Sequence, residues 1–247
     1  MAKNKYKRVL LKLSGESFCK PGGFGIDGSA IGPIAERISK ICKLGFELAV
    51  VVGGGNFIRG ENFSEATSIP RHTADYMGML ATVINACALQ ESLEAVGQPT
   101  RVMSAIEVSA ICEPFIRRRC LHHLGKGRVV ILAGGTGNPF FSTDTCAALR
   151  ASELKAEVIV KATKVDGVYT ADPVTNPDAK LLDSLSYQDV LVQNLRVIDP
   201  AAMSLCSENN IPVIVLNIFK EGNITKALYG EKVGTMISEV ASRLESR

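Results

Sequence analysis

The sequence predicts an α/β protein, a three-layer α-β-α sandwich around a mainly parallel central sheet. Short apolar runs alternate with helical patterns from end to end, as in chains of strand–helix–strand units. Several runs, Phe46–Val52 and Arg128–Ala133 among them, are apolar on both faces, which suits strands covered on two sides by helices. Polar or glycine-rich segments follow four of the runs, and open parallel sheets bind ligands beyond the carboxyl ends of their strands.

Lys7–Leu13 reads as the first strand, broken by Ser14-Gly15. Cys19–Gly28 is glycine-rich and predicts a hairpin or flexible loop. Ser29–Lys43 carries apolar residues at helical spacing and stops at Gly45. Phe46–Val52 is the second strand and leads into Gly53-Gly54-Gly55. Glu61–Pro70 is polar and weakly patterned, which predicts a loop or mobile lid. Arg71–Val96 is a long helix closed by Gly97. Thr100–Met103 is a brief strand, Ala105–Cys112 is ambiguous, and Pro114–Leu124 is helical. Arg128–Ala133 is a buried strand, Thr143–Leu154 a helix and Glu157–Ala162 a further strand. Turn signals fill Thr163–Lys180 at Asp166-Gly167, Asp172-Pro173 and Asn176-Pro177. Asp189–Asn194 is weakly helical, and Pro200–Asn210 is a helix opened by its proline. Pro212–Leu216 is a strand, Asn223 caps a short helix over Ile224–Tyr229, and Gly234–Ile237 ends the pattern as a strand. No composition break or repeat divides residues 1–247, so a single domain is expected.

The totals exclude several classes. A net charge of +3 with dispersed basic residues leaves only Arg117-Arg118-Arg119 as a cluster, and a solvated helix face explains it better than nucleic acid as main partner. Seven cysteines, an odd number without C-x-x-C, predict reduced thiols and a cytoplasmic location. His72, His122 and His123 have no metal-site spacing and read as surface imidazoles, so no metal ligands are assigned. No run approaches the ~20 apolar residues of a membrane span. The start, MAKNKYKR, lacks the apolar core of a signal peptide.

The chemistry concentrates at four strand ends. Lys12 is a charged residue late in an apolar strand, followed by a Ser-Gly turn; such a lysine either snorkels or faces an anion. Val50–Gly60, VVVGGGNFIRG, joins unhindered backbone donors to Arg59, a fork suited to phosphate oxygens. Gly134–Thr143 adds backbone donors and the hydroxyls of Thr136, Ser142 and Thr143. Asp144 either caps its own helix or holds Lys12 and other cations, or a metal. The G-x-G-x-x-G match at Gly23–Gly28 follows no strand and is not a dinucleotide fingerprint.

KLSGE at Lys12–Glu16, GGGN-x-x-RG at Gly53–Gly60, ADYMGMLAT at Ala74–Thr82, GTGNPFF at Gly135–Phe141 and KATKVDGVYTADP at Lys161–Pro173 occur in one order. Together they resemble the bacterial uridylate (UMP) kinases, a branch of the amino-acid kinase fold family, from about Lys7 to Ile237. The resemblance implies that the N-terminal part binds UMP and the C-terminal part ATP. It places Lys12, Leu13, Ser14, Gly15, Gly55, Arg59, Thr163, Tyr169 and Asp172 at ATP. It places Gly54, Asp75, Thr136, Gly137, Asn138, Pro139, Phe140, Phe141, Ser142 and Thr143 at UMP, with Asp75 taking the ribose hydroxyls. Lys12, Arg59 and Asp144 would form the catalytic group, and Lys161 and Lys164 a phosphate or nucleotide contact. Asp199 matches a position that the family needs, with no role assigned. The three glycines would let both phosphate chains approach one backbone.

The implied reaction is ATP + UMP giving ADP + UDP with Mg²⁺, in pyrimidine nucleotide biosynthesis. A homohexamer, GTP as activator and UTP as inhibitor are the implied partners, although the Lys20–Gly25 loop, associated with GTP activation, departs from the common pattern. Another small-molecule kinase of the fold, a non-catalytic nucleotide sensor and a molybdate-storage relative are the alternatives.

Overall fold

The structure, a computed structural model, describes residues 5–173, 175, 176, 178–193, 195 and 197–239. Pro177 of one turn signal and Asn194, the expected end of the weak helix, lie outside them. The first half runs β1 (Arg8–Leu13), a 3-10 turn (Gly15–Phe18), α1 (Gly28–Lys43), β2 (Glu47–Val52), α2 (Gly60–Ala66), α3 (Arg71–Ala95), β3 (Thr100–Ser104) and β4 (Glu113–Pro114). It continues with α4 (Arg117–Gly125), β5 (Val129–Ala133), α5 (Thr143–Leu154), β6 (Val158–Thr163), β7 (Val168–Tyr169) and β8 (Leu181–Leu182). The chain closes with β9 (Ser184–Ser186), α6 (Tyr187–Val192), α7 (Pro200–Glu208), β10 (Val213–Asn217), α8 (Asn223–Leu228) and β11 (Thr235–Ser238).

The main sheet has the order β4-β3-β5-β2-β1-β6-β10-β11-β9. Its pairs are parallel except β10 with β11. Strand alternation sorts the core into two layers. Val9, Leu11, Leu48, Val50 and Val160 pack with Ile34 and Ile38 of α1, Leu89 of α3 and Leu228 of α8. Leu10, Val51, Ile159 and Val213 face the other way, onto Leu124 of α4, Leu154 of α5 and Met203 of α7. The three-layer expectation holds. β1 is flanked by β2 and β6, so the chain moves outward from it on one side and later on the other. That switch point opens a crevice at its carboxyl end.

Four expectations are corrected. Glu61–Pro70 is not all loop, because Gly60–Ala66 forms α2, whose residues are none of them buried; without a buried face it has no apolar period to read. The helix expected from Pro114 begins at Arg117, after Pro114 has paired in β4. Asn223 lies inside α8, which follows Gly222 in a left-handed conformation, and its amide instead donates to the Asn217 carbonyl at 3.1 Å. His123 is buried between Glu113, 3.3 Å away, and Arg128, 3.0 Å away, whereas His72 and His122 are exposed.

Candidate active site

Lys12 of β1 lies directly opposite Lys161 of β6 in the parallel register. Two residues earlier on each strand, Leu10 and Ile159 pack into the α5–α7 layer, so both lysines point to that side. Two adjacent ammonium groups repel, and Asp144, in the first turn of α5, lies between them. Its Oδ1 is 2.7 Å from Lys12 Nζ and its Oδ2 is 2.5 Å from Lys161 Nζ. Lys161 also donates to the Val197 carbonyl. Burial pushes the Asp144 carboxyl up, but Lys12 and then Lys161 outweigh it and hold the group below its ordinary value. Burial moves Lys161 the other way, below its ordinary value, although Asp144 opposes that. Both cations contact this one carboxylate, and the Asp199 charge nearby also favours the charged Lys161.

The α5 N-terminus is fixed from both sides. Ser142 caps it, accepting from the N–H groups of Asp144 at 2.9 Å and Thr145 at 3.1 Å. The Ser142 hydroxyl donates to Asp199, and so does Thr145, at 2.9 Å. Asp199 in turn caps α7, accepting from the Ala202 N–H at 2.9 Å. One carboxylate therefore ties the ends of two helices and steadies Asp144.

The glycine turn after β2 is crowded by the chain's own backbone. A Cβ at Gly53 would lie 2.8 Å from the Gly15 nitrogen, and one at Gly54 would lie 2.6 Å from the Gly78 carbonyl oxygen. A Cβ at Gly15 would sit 2.5 Å from the Gly55 nitrogen. The approach of ligand phosphates is therefore not what demands Gly53 and Gly54; β1 and α3 already do. Gly55 is different, its nearest neighbour being Arg59 Nε at 3.5 Å. Beneath the turn, Asn56 and Asn85 exchange amide hydrogen bonds at 2.9 and 2.7 Å. Their remaining amide hydrogens go to the Gly25 and Gly53 carbonyls at 2.7 Å. Both asparagines are buried.

Asp75 faces the crevice from α3. It accepts from Arg71 Nε at 3.0 Å and from the Phe140 N–H at 2.8 Å. Phe140 has φ +71°, a strained value for a side-chain-bearing residue of a kind that collects at functional sites. A Cβ at Gly60 would lie 2.1 Å from Asp75 Oδ1, so that glycine makes room for the carboxylate.

These walls enclose a cleft of about 410 Å³. Of the residues singled out from the sequence, Lys12, Ser14, Gly15, Gly54, Gly55, Arg59, Asp75, Phe140, Phe141, Ser142 and Thr143 line it. Asp144 instead lines a second cavity of about 280 Å³ behind Lys161, walled by Val190, Leu195 and Ile198. Leu13 is fully buried against the α1–α3 layer, which leaves only its main chain for a ligand. Thr136, Gly137, Asn138 and Pro139 form a turn beyond the cleft lining, where Thr136 Oγ1 accepts from the Asn138 N–H at 3.1 Å. Thr163, Tyr169 and Asp172 are not in either cavity wall; Thr163 donates to the Val165 carbonyl at 2.6 Å, and Tyr169 pairs with Leu181 in the β7–β8 ribbon. Lys164 lies 3.8 Å from Glu16, which also pairs with Arg59.

The sequence reading passed over Arg71, Glu16 and the Asn56–Asn85 pair. Arg71 was within reach of it, since it stands four residues before Asp75 on one helix. The other contacts join segments distant in sequence and leave no local signature.

The chain matches the model of the Amino acid kinase family over residues 7–217. It is 54% identical over 233 residues to the chloroplastic uridylate kinase PUMPKIN of Arabidopsis thaliana, covering 94% of this chain and 69% of that protein. The solved UMP kinase from Bacillus anthracis superposes with a TM-score of 0.91 at 41% identity, covering 96% of this chain and 97% of that one. The UMP kinase from Ureaplasma parvum gives 0.87 at 37% identity, with 95% and 99% covered.

Proposed function

The chain belongs to the amino acid kinase family, and from that premise we infer that it transfers the γ-phosphoryl group of ATP to UMP, giving ADP and UDP. The observation that carries the reading is the Lys12–Asp144–Lys161 cluster beside a glycine-walled cleft. Lys12 is buried at the cleft and Asp144 is the carboxylate it pairs with, shared with the part-buried Lys161, so a phosphate in the cleft gains a positioned ammonium group.

UMP itself needs no general base. Its phosphate has a second pKa near ~6, so the attacking oxygen is already ionised at neutral pH. The task is to bring two polyanions together, and positioning with charge stabilisation carries such a transfer. Lys12 reaches the cleft from β1, with Lys161 behind it, both held by Asp144. Arg59 lines the same cleft from the segment after β2. The Gly15, Gly55 and Arg59 group, all in the cleft lining, takes the ATP phosphates. Asp75 takes the UMP ribose hydroxyls; Arg71 and Phe140 orient it and leave lone pairs free to accept. Phe140 to Thr143 close over the nucleotide, with the Thr136–Pro139 turn at its outer edge. Thr163, Tyr169 and Asp172 hold the adenine end, Tyr169 by stacking. On this reading residues 1–247 form one domain, with UMP in its N-terminal part and ATP in its C-terminal part.

Mg²⁺ enters with ATP. Such an ion is carried mainly by phosphate oxygens and waters. When bound it would neutralise charge on the phosphates, with Asp144 the nearest buried carboxylate to the lysines that share that work.

The chain assembles as a homohexamer. Tyr76, Leu80 and Ile84 leave an apolar stripe exposed along α3, as a helix face awaiting a partner does. GTP activation and UTP inhibition are the regulation to test. A reducing compartment, the cytoplasm, suits the seven free thiols; burial pushes Cys42, Cys120 and Cys206 up to about 12. ATP consumption measured with UMP, CMP and acetylglutamate, each with and without GTP, tests the assignment. Turnover with acetylglutamate and none with UMP would overturn it.

A further inference from the structure

Glu16 has no part in the chemistry described so far, yet it touches one of its cations, Arg59, and a second lysine, Lys164, beside it. It stands in the turn directly after β1, the central strand. One carboxylate oxygen pairs with Arg59, beyond the end of β2, and the other lies 3.8 Å from Lys164, just beyond β6. Three neighbouring strand ends thus meet through one acidic side chain. Glu16 lies outside the cleft lining, but its partner Arg59 is in it, and an acidic group at the edge of a crevice built for polyanions repels the ligand and competes for its cations. All three side chains are 40% exposed or more, and pairs that open to water hold weakly. A guanidinium binds phosphate oxygens with two parallel hydrogen bonds, a stronger arrangement.

We propose that Glu16 is a displaceable counter-ion for the donor phosphates. It holds Arg59 and Lys164 in place while the cleft is empty. The phosphates of the donor take both cations from it, and the carboxylate reclaims them as the product diphosphate leaves. Glu16 is a positioning residue in this scheme, not a catalytic one. The inference rests on the ATP-dependent reading above.

The test is ADP affinity, by calorimetry, in wild type, Glu16→Gln and Glu16→Asp across a salt series. Removing the competing charge should tighten ADP binding about three- to tenfold at low ionic strength. The gain should fade toward 1 M salt, where the Debye length is only ~3 Å. Glu16→Asp, which keeps the charge, should stay close to wild type. A merely structural role predicts the opposite, weaker ADP binding in Glu16→Gln with a lowered melting temperature and no salt trend. Equal or weaker affinity at low salt therefore overturns the proposal. A wild type that binds ADP but leaves UMP unphosphorylated overturns the acceptor assignment alone. A wild type with no affinity for ADP overturns both.

Discussion

The turn after β2 and the ends of β1 and β6 bury polar groups in opposite ways. Under the turn, Asn56 and Asn85 are neutral, and each amide has its partners. At the strand ends, Lys12, Asp144 and Lys161 are charged, two ammonium groups sharing contact with one carboxylate. The first arrangement is complete without a ligand and fixes the shape of the glycine turn. The second exposes a charged group to the cleft, and on the reading proposed above a phosphate pairs with it. Buried polar groups are costly in either form, but only the second cost is recovered on binding.

Lys12→Ala should break the comparison most sharply. Turnover should fall about 10²–10³-fold, the usual cost of removing one preorganised charge stabiliser, with UMP affinity by equilibrium dialysis little changed. Lost UMP affinity at normal turnover would remove Lys12 from its assigned place. Stability should behave in the reverse order. Asn85→Leu strands the Asn56 amide and should cost about 1–3 kcal/mol in urea unfolding, whereas Lys12→Ala leaves Asp144 with one cation and should cost less. Asp75→Asn comes next, raising the KM for UMP roughly tenfold by weakening a charge-assisted contact. An unchanged KM would count against the ribose contact. The smallest effect is acid sensitivity. The Asp144 pKa is held below its unfolded value of about 3.9, so its contribution is present above that pH and is lost as pH falls through the folded value. Urea midpoints between pH 5 and 2.5 should decline more steeply in wild type than in Asp144→Asn.

The sequence made the layers legible because strands buried on both faces and helices buried on one leave distinct periods. β1, β2, β5, β6 and β10 are all apparent in it, and so is the long α3. It hid α2, which buries no residue, and β4 and β9, which are too short to carry a period. At the site, Lys12 and Asp144 stood out as charges beside apolar runs and glycines. That Lys161 would sit directly across from Lys12 depends on strand register, and that Asp199 would join α5 to α7 depends on how two helices pack. Neither is written in local sequence. The glycine triplet was conspicuous for a reason partly misread, since its first two members serve the packing of the chain on itself.

The central place of β1 bears on how the chain is made. It is synthesised before the other strands of the sheet and gains β2 as a neighbour within some forty residues, but its other edge waits for β6 at Val158–Thr163. Until then a growing chain on the ribosome presents an apolar, hydrogen-bonding edge with Lys12 on it, and a lysine on an open edge discourages wrong pairing. The residue that pairs with Asp144 in the finished chain thus guards the edge of the growing one. Closing that edge brings Lys161 against Lys12, so the last long-range pairing of the central strand also completes the two-lysine cluster around Asp144.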